Sequence, residues 1–248
     1  MTITVLLENT ARSQDVTAEH GLSLYIETNR RRILFDMGQT DLFARNAKVL
    51  DFGSGCGTLG TLLCAKDCYC HITGIELDEN AHCAALENIR RNHLDTRMES
   101  ICGDLRQVAL PVGSFHVCIS NPPYFAGGPA SKENPLARRE DCCSPAELFA
   151  AAAKALKYGG DFYLVHKPER LAELIACGAK ENLEAKRLML VRHKEGSEIS
   201  LILLQFRKGG KPGLIIEESY LHNADGTLSR TLQRAPFGLR PAVCELRK

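Results

Sequence analysis

The chain has 248 residues, of which 44% are hydrophobic and 25% are charged, and its formal net charge is +1. This length and composition suit one domain with a buried core and exclude an intrinsically disordered chain. The sequence contains no run of about 18 apolar residues, which excludes a membrane-spanning helix. It also lacks a basic start followed by an apolar stretch, so no export signal is predicted.

The 11 cysteines are expected to be reduced thiols of a cytoplasmic protein, because no export signal is predicted. The densest group is Cys64, Cys68 and Cys70, in the spacing C-x3-C-x-C. Zinc sites and iron–sulfur clusters use other spacings, above all C-x2-C pairs. We therefore expect small buried apolar side chains at these positions and no metal site.

Residues 1–46 differ in pattern from the rest of the chain. Three short β patterns, ITVLLEN, LSLYIET and RRILFDMG, are separated by polar turns. From Ala47 onward, strand patterns alternate with helical patterns. This change predicts a short N-terminal β segment over residues 1–46 and one larger domain over residues 47–248.

The alternating part predicts an α/β fold with a doubly wound, mostly parallel sheet. Five buried strands are predicted in KVLDFG, HITGIEL, RMESICGD, SFHVCISNPP and DFYLVHK. Helices are predicted in TLGTLLCAKD, DENAHCAALENIRRNH, SPAELFAAAAKALKYGG and PERLAELIACGA. The polar stretch GGPASKENPLARREDCCS is predicted to be a long loop.

Helix ends and the last strands complete this prediction. Asp78 and Ser144 are expected to be N-caps, and Gly159-Gly160 is expected to end the third helix. The strands LEAKRLMLVRH and EISLILLQFRK are separated only by KEGS, so they should form an antiparallel hairpin. The predicted architecture is a Rossmann-like α/β fold with a mostly parallel seven-stranded sheet and an antiparallel C-terminal hairpin.

A glycine-rich loop, VLDFGSGCGTLG, follows the first buried strand of this part. Ligands of such sheets bind at the carboxyl ends of the strands, and glycines let the backbone approach them closely. Two cofactors fit this loop. Residues 55–60 match the dinucleotide pattern G-x-G-x-x-G, whereas Gly53-Ser54-Gly55-Cys56-Gly57 begins directly at the strand and suits S-adenosylmethionine.

Acidic residues near the ends of three strands favour the second cofactor. Asp51 precedes the loop and suits the cationic amino-acid end of S-adenosylmethionine. Glu76 ends the second strand, where it can accept hydrogen bonds from ribose hydroxyls. Asp104, in CGDL after the third strand, can accept from the adenine amino group. The alternative interpretation is a set of turns with capping acids.

The fourth strand ends abruptly in FHVCISNPPYFAGG, residues 115–128. Asn121 presents a side-chain carbonyl, and Pro122 has a backbone carbonyl but no N–H, so both are acceptors. Two fixed acceptors suit an –NH2 group, because holding its hydrogens frees the lone pair to attack a methyl group. Tyr124 offers a flat face on which a base can stack. Rate would then come mostly from proximity and alignment, and a strand-ending turn is the alternative.

These residues carry a resemblance to a known family. From about Ala47 to about Ser229 the chain resembles class I S-adenosylmethionine-dependent methyltransferases with the Asn-Pro-Pro-Tyr motif. Among them it is most similar to bacterial tRNA1(Val) adenine-37 N6-methyltransferases, which methylate the 6-amino group of the base next to the anticodon. The matching segments are VLDFGSGCGTLG, GIELDENA, CGDL, SNPPYF, ALKYGGDFYLVHKPERLAEL and FRKGGKPGL.

The resemblance implies a role for each matching residue and tRNA as the partner. It implies cofactor binding by Asp51, Gly53, Gly55, Glu76, Asp104 and Asn121. It implies that the target adenine is handled by Asn121, Pro122 and Tyr124. It implies RNA contacts from Tyr124, Arg138, Arg139, Arg207, Lys208 and Lys211. An adenine in a folded anticodon loop must be splayed out to enter such a pocket.

Both ends of the chain depart from that family. Residues 1–46 resemble instead the start of a metallo-β-lactamase-fold protein, in ENTARSQDVTAEHGLSLYIETNRRRILFDMGQTDLF. The zinc motif of that fold, H-x-H-x-D-H, is absent from the sequence, which argues against a hydrolase. The final stretch, TLQRAPFGLRPAVCELRK, also differs from the family's ending. The predicted domains are therefore a β segment without a metal site and a methyltransferase domain.

These residues leave four functions open. The first is methylation of an adenine amino group in RNA, and the second is methylation of another planar amine, such as a protein glutamine or an rRNA guanine. The third is an inactive relative that binds S-adenosylmethionine or RNA. The fourth is a nicotinamide-dependent dehydrogenase, which preferential NADH binding would indicate.

Overall fold

The computed structural model describes residues 2–5, 23–27, 32–36, 47–65, 70–122 and 143–222. In the N-terminal part, β1 (Thr2–Val5), β2 (Ser23–Glu27) and β3 (Arg32–Asp36) form a three-stranded sheet. β2 pairs antiparallel with both β1 and β3. The three short β patterns predicted from the sequence are thereby confirmed as strands.

The remaining described residues form a second sheet with helices between its strands. Its strands are β4 (Lys48–Phe52), β5 (His71–Glu76), β6 (Met98–Cys102), β7 (Phe115–Ser120), β8 (Leu156–His166), β9 (Leu183–Lys194), β10 (Ile199–Lys208) and β11 (Ile215–His222). The helices are α1 (Thr58–Ala65), α2 (Glu79–Arg91), α3 (Pro145–Ala155) and α4 (Leu171–Lys180), with a 3-10 turn at Pro168–Arg170. In the described part of the chain, no helix is long and apolar enough to cross a membrane.

The strand order is β11-β9-β10-β8-β7-β4-β5-β6. Parallel pairs join β4 to β5 and β7, β5 to β6, and β7 to β8, whereas β10 runs antiparallel to β8. Residues 195–198 alone connect β9 to β10, and Gly209 after β10 donates to the carbonyl of Asn182 before β9 at 2.9 Å. These two strands are therefore an antiparallel hairpin. The predicted Rossmann-like α/β fold is confirmed.

Apolar packing between α3 and the sheet fixes the middle of the fold. Phe149 of α3 meets Phe162 of β8 and Phe206 of β10 edge to face, with ring centroids 5.2 Å and 4.9 Å apart. All three rings are fully buried. Such aromatic pairs add about 0.5–1.5 kcal/mol each beyond the area that they bury. This cluster holds α3 against the two strands.

The predicted helix caps agree with the structure, but one predicted helix end is wrong. Asp78 caps α2, and Ser144 caps α3 through a reciprocal capping box with Glu147. However, α3 ends at Ala155, and the segment to Gly160 belongs to β8. The register of β8 on β7 shifts near its start, and Gly159 has a φ of +79° there. The glycine pair therefore marks a bulge in a strand rather than a helix C-cap.

The sheet also has one strand more than the sequence predicted. The segment Ile215–His222 forms β11, which pairs with β9. Its sequence, IIEESYLH, lacks the strict alternation of apolar and polar residues that marks a half-buried strand. Only Ser219 and Leu221 of this segment are buried, so the apolar signal is too short to identify the strand.

Candidate functional site

Three neighbouring strands end at one edge of the sheet, which we call the ligand edge. Phe52 at the end of β4 pairs with Ile75 of β5 and with Ser120 of β7. The residues that follow at this level are Gly53, Glu76 and Asn121. The strand order reverses at β4, so this edge is the switch point at which ligands of open α/β sheets bind.

The glycine loop leaves β4 at the ligand edge with its backbone held by β5. Gly53 donates its N–H to the carbonyl of Ile75 at 2.9 Å. Gly53, Gly55 and Gly57 have φ values of +68°, +56° and +74°, which residues other than glycine rarely adopt. A Cβ at Gly57 would lie 2.8 Å from the Cε of Met98, whereas Gly53 and Gly55 face open space. The first two glycines therefore leave room for a ligand, and the third permits close packing.

Glu76 connects the glycine loop to the start of α2. Its Oε2 accepts the N–H of Gly55 at 2.7 Å, and its Oε1 accepts the N–H of Asp78 at 2.8 Å. Asp78 in turn accepts two backbone N–H groups of α2 through its Oδ1. Glu76 thus positions the glycine loop. The contact with the ribose of the cofactor, expected from its place at the end of β5, stays a prediction.

Asp51 is a buried carboxyl group near the end of β4. Only 3% of its surface is exposed, and its Oδ2 has no hydrogen-bond partner among the described residues. The buried Oγ of Ser54, in the glycine loop, likewise lacks one within that part of the chain. Burial, together with the negative charge of Glu76, raises the pKa of Asp51 to about 8. Such a carboxyl fits a ligand that brings a cationic N–H donor, as the ammonium group of S-adenosylmethionine does.

Asp104 follows β6 and is bound by an arginine that the sequence analysis did not single out. Its Oδ1 accepts from Arg106 Nε at 2.9 Å, and its Oδ2 accepts from Arg106 Nη2 at 2.5 Å. These bonds hold the pKa of Asp104 below its ordinary value. Arg106 also reaches Oε1 of Glu147 at 3.4 Å. The D-x-R spacing in CGDLR was the available signal for this pair.

The tip of β7 lies beside the glycine loop. Ser120 donates its Oγ hydrogen to the carbonyl of Phe52 at 3.0 Å, which fixes the strand end against β4. Asn121 and Pro122 follow and are half-buried. Tyr124, Arg138 and Arg139 lie outside the described residues, as does most of the predicted long loop.

The basic residues expected to contact RNA at the end of β10 lie far from this edge. Arg207 forms a two-pronged ion pair with the fully buried Asp161, at 2.8 Å and 3.0 Å. Lys208 donates its Nζ to two backbone carbonyls, at 2.5 Å and 2.8 Å. Arg207 pairs with Asp161 of β8, and Asp161 pairs with Val117 near the start of β7, so both basic residues lie toward the end at which β7 begins. Lys211 is exposed nearby.

Two cysteines of the densest group are placed as small buried side chains. Cys64 and Cys70 are buried, each with 1% of its surface exposed, and Cys68 lies outside the described residues. Within the described ranges, no three His, Cys, Asp or Glu side chains are grouped as a metal ion would require.

Known structures share this architecture. The crystal structure of a "predicted O-methyltransferase" from Agrobacterium tumefaciens matches with a TM-score of 0.63 at 20% identity, over 75% of this chain and 86% of the other. A putative sarcosine dimethylglycine methyltransferase from Galdieria sulphuraria matches with a TM-score of 0.53 at 13% identity, over 67% and 80% of the two chains. The fold is therefore that of the Rossmann-like methyltransferases.

Sequence comparison identifies the family. The methyltransferase small domain matches residues 32–185. A tRNA1(Val) (adenine(37)-N6)-methyltransferase from Aeromonas hydrophila is 31% identical over 202 residues, which are 78% of this chain and 83% of the relative. The protein of the same name from Bacteroides fragilis is 31% identical over 166 residues, 65% of this chain and 69% of the relative. The chain belongs to the methyltransferase small-domain family and is an S-adenosylmethionine-dependent methyltransferase.

Proposed function

We propose that this enzyme methylates the 6-amino group of an adenine in tRNA, at position 37 next to the anticodon of tRNA1(Val). The observation that carries the proposal is the position of Asn121, which leaves β7 at the level where Gly53 leaves β4. An amine acceptor group and a cofactor loop are thus neighbours. The names of the relatives at 31% identity support adenine in tRNA as the target.

The proposed cofactor site comprises residues at the ends of four strands, β4, β5, β6 and β7. Its members are Asp51, Gly53, Gly55, Glu76, Asp104 and Asn121. The buried Oδ2 of Asp51, which has no hydrogen-bond partner among the described residues, supports an interaction with the cationic amino-acid end of the cofactor. The open faces of Gly53 and Gly55 support close approach of the backbone to the ligand.

In the proposed reaction, the protein positions the amine rather than removing its proton in advance. Bound S-adenosylmethionine supplies an electrophilic methyl group. The side-chain carbonyl of Asn121 and the backbone carbonyl of Pro122 accept the two hydrogens of the adenine amino group. The nitrogen lone pair is then directed at the methyl carbon, and the proton leaves after transfer. Tyr124 stacks on the base.

The proposed RNA contacts are Tyr124, Arg138, Arg139, Arg207, Lys208 and Lys211. The exposure of Lys211 supports a direct contact with phosphate. Arg207 and Lys208 already donate within the protein, and Asp161 offsets the charge of Arg207. In this proposal Lys208 therefore supplies most of the positive potential of the pair. A tRNA substrate implies a cytoplasmic enzyme.

We also propose that residues 1–46 are a separate β segment, derived from a metallo-β-lactamase-like sequence without a metal site, ahead of a methyltransferase domain of residues 47–248. The three-stranded sheet of β1, β2 and β3, which is distinct from the eight-stranded sheet, supports a division of the chain near this point.

Incubation of the purified chain with unmodified bulk tRNA and radiolabelled S-adenosylmethionine tests the function. Digestion and identification of the labelled nucleoside are expected to give N6-methyladenosine. Label on a guanine, or on a protein glutamine when release factor is supplied, would contradict the adenine assignment. Cofactor binding without any label would indicate an inactive relative, and repeating the assay with residues 1–46 replaced by a family-like segment separates a damaged enzyme from a wrong substrate.

Asp104→Ala is expected to weaken cofactor binding by about tenfold or more, because a hydrogen bond to a charged group contributes about 1.5–3 kcal/mol. The measurement is S-adenosylmethionine affinity by calorimetry. Arg106→Gln is the matched variant, since it keeps the carboxylate and frees it from its arginine. That variant is expected to bind cofactor no more weakly than the wild type. An unchanged cofactor affinity in Asp104→Ala would show that Asp104 does not bind the adenine of the cofactor.

A further inference from the structure

Three basic side chains gather at the edge of the sheet opposite the ligand edge. Lys48 is the first residue of β4, His116 the second of β7 and Lys157 the second of β8. These three strands are neighbours in the sheet and begin at this end. Lys48 and Lys157 are exposed, and His116 is half-buried. We call these three residues the basic cluster.

The hydrogen bonds of His116 leave two donors facing each other. The backbone N–H of Lys48 donates to Nδ1 of His116 at 3.0 Å. A neutral imidazole whose Nδ1 accepts must carry its proton on Nε2. The Nζ of Lys157 lies 3.0 Å from that Nε2. An ammonium group has donors only, so both atoms are donors, and an oxygen of an anion that accepts from both would satisfy them.

The local charge also favours an anion. Burial and the positive charges of Lys157 and Lys48 lower the pKa of His116 and so favour its neutral ring. Lys208 adds another ammonium group close by, because its Nζ donates to the carbonyl of Leu156 at 2.8 Å. Arg207 contributes less, since its charge is matched by Asp161.

An exposed aromatic ring lies next to the cluster in the chain. Tyr158 has 79% of its surface exposed, and its hydroxyl donates to the carbonyl of Gly209 at 3.2 Å. Its ring lies so close to Gly209 that a Cβ there would collide with it. A fixed and exposed ring, one residue after Lys157 in the chain, is suited to stacking on a base or ribose. An exposed surface of this kind is better suited to an extended polyanion than to a small anion, which proteins usually bind in an enclosed pocket.

We propose that Lys48, His116 and Lys157 bind a phosphate of the RNA backbone, with Tyr158 stacked on a neighbouring nucleotide. The inference rests on the proposed RNA substrate and adds a phosphate contact to those proposed at the end of β10 for Arg207, Lys208 and Lys211. The cluster and the ligand edge are separated by the length of β4, about 13–16 Å for five residues. The contacted phosphate therefore belongs to another nucleotide than the target adenine.

The salt dependence of binding to an unmodified tRNA transcript tests this site. The variants are Lys157→Gln, which removes one exposed ammonium group, and Lys157→Gln with His116→Gln. Loss of one phosphate contact is expected to reduce the slope of log affinity against log salt by about one and to weaken binding about fivefold near 0.15 M salt. Cofactor affinity is expected to stay unchanged. Lys180→Gln, an equal loss of charge at the end of α4, is the matched control and is expected to keep the wild-type slope.

Each result decides the inference. The inference would be overturned if Lys157→Gln bound the transcript with the affinity and the salt dependence of the wild type. It would also be overturned if the basic cluster bound inorganic phosphate but the variants left the salt dependence of RNA binding unchanged. Methyl transfer to tRNA with an unchanged slope overturns this inference alone. Binding of tRNA through the cluster without methyl transfer supports it and contradicts the proposed substrate. A wild-type chain that does not bind the transcript overturns both.

Discussion

Asn121→Ala is expected to lower turnover by about 10²–10³-fold, the usual cost of removing one positioned hydrogen-bonding group from a reacting centre. In the proposed mechanism Asn121 holds one hydrogen of the amino group, so its loss leaves the amine free to rotate and its lone pair delocalised. Cofactor affinity is expected to fall by less than about threefold, because Asn121 is only one of the six proposed cofactor residues and Asp51 and the glycine loop stay in place. Single-turnover methyl transfer and calorimetric cofactor binding measure the two effects separately.

Two further variants make this test specific. Asn121→Asp keeps an acceptor oxygen at the same position and is expected to retain more activity than Asn121→Ala. Asn92→Ala changes an exposed asparagine at the end of α2 and is expected to keep full turnover. Equal turnover in Asn121→Ala and the wild type would show that the acceptor pair does not activate the amine.

Much of this fold was predictable because its signals are local. The buried strand patterns of β4, β5 and β7 and the cap at Asp78 each depend on a few neighbouring residues. The glycine loop and the Asn-Pro-Pro-Tyr tip were expected at one edge because parallel strands end together, and the pairing of Phe52 with Ser120 agrees. The roles of the residues at that edge stay predictions.

What the sequence did not predict depends on contacts between distant residues. The glycines at 159 and 160 read as a helix end, but the pairing of Leu156 with Phe115 extends β8 through them. Arg207 reads as a free cation until Asp161, 46 residues earlier in the chain, is seen to neutralise it. The basic cluster likewise cannot be predicted from the sequence, because its members come from three separate strands.

Asp51→Asn is expected to stabilise the protein and to weaken cofactor binding. The unfolded chain ionises this carboxyl near its ordinary pKa of 3.8, whereas the folded protein holds the proton up to a pKa of about 8. The contribution of the carboxyl to stability is therefore fully present below about pH 4 and is lost as pH rises to about 8. Asparagine does not ionise, so the advantage of the variant grows by at most about 1.4 kcal/mol per pH unit over this range.

Thermal unfolding at pH values from 4 to 9 measures this advantage. About 1 kcal/mol corresponds to about 2–4 °C in Tm for a chain of this size. The Tm difference should be smallest near pH 4, increase with pH and become constant above about 8. Asp95→Asn, at an exposed carboxylate, is the control and should show no such trend. If Tm changed with pH in the same way for Asp51→Asn and the wild type, the pKa of Asp51 would not be raised in the folded protein.

Cofactor binding should show the opposite dependence on the same carboxyl. A cationic ammonium group beside Asp51 favours its ionised form, so binding below about pH 8 must release a proton. Wild-type affinity should therefore rise by up to about tenfold per pH unit toward pH 8 and then level. In Asp51→Asn the affinity should be lower and nearly independent of pH, and calorimetry in two buffers should detect no proton release. If Asp51 lowers stability but binds the cofactor, its presence is explained by function. If Asp51→Asn gained stability and kept the wild-type cofactor affinity, Asp51 would not contact the cofactor.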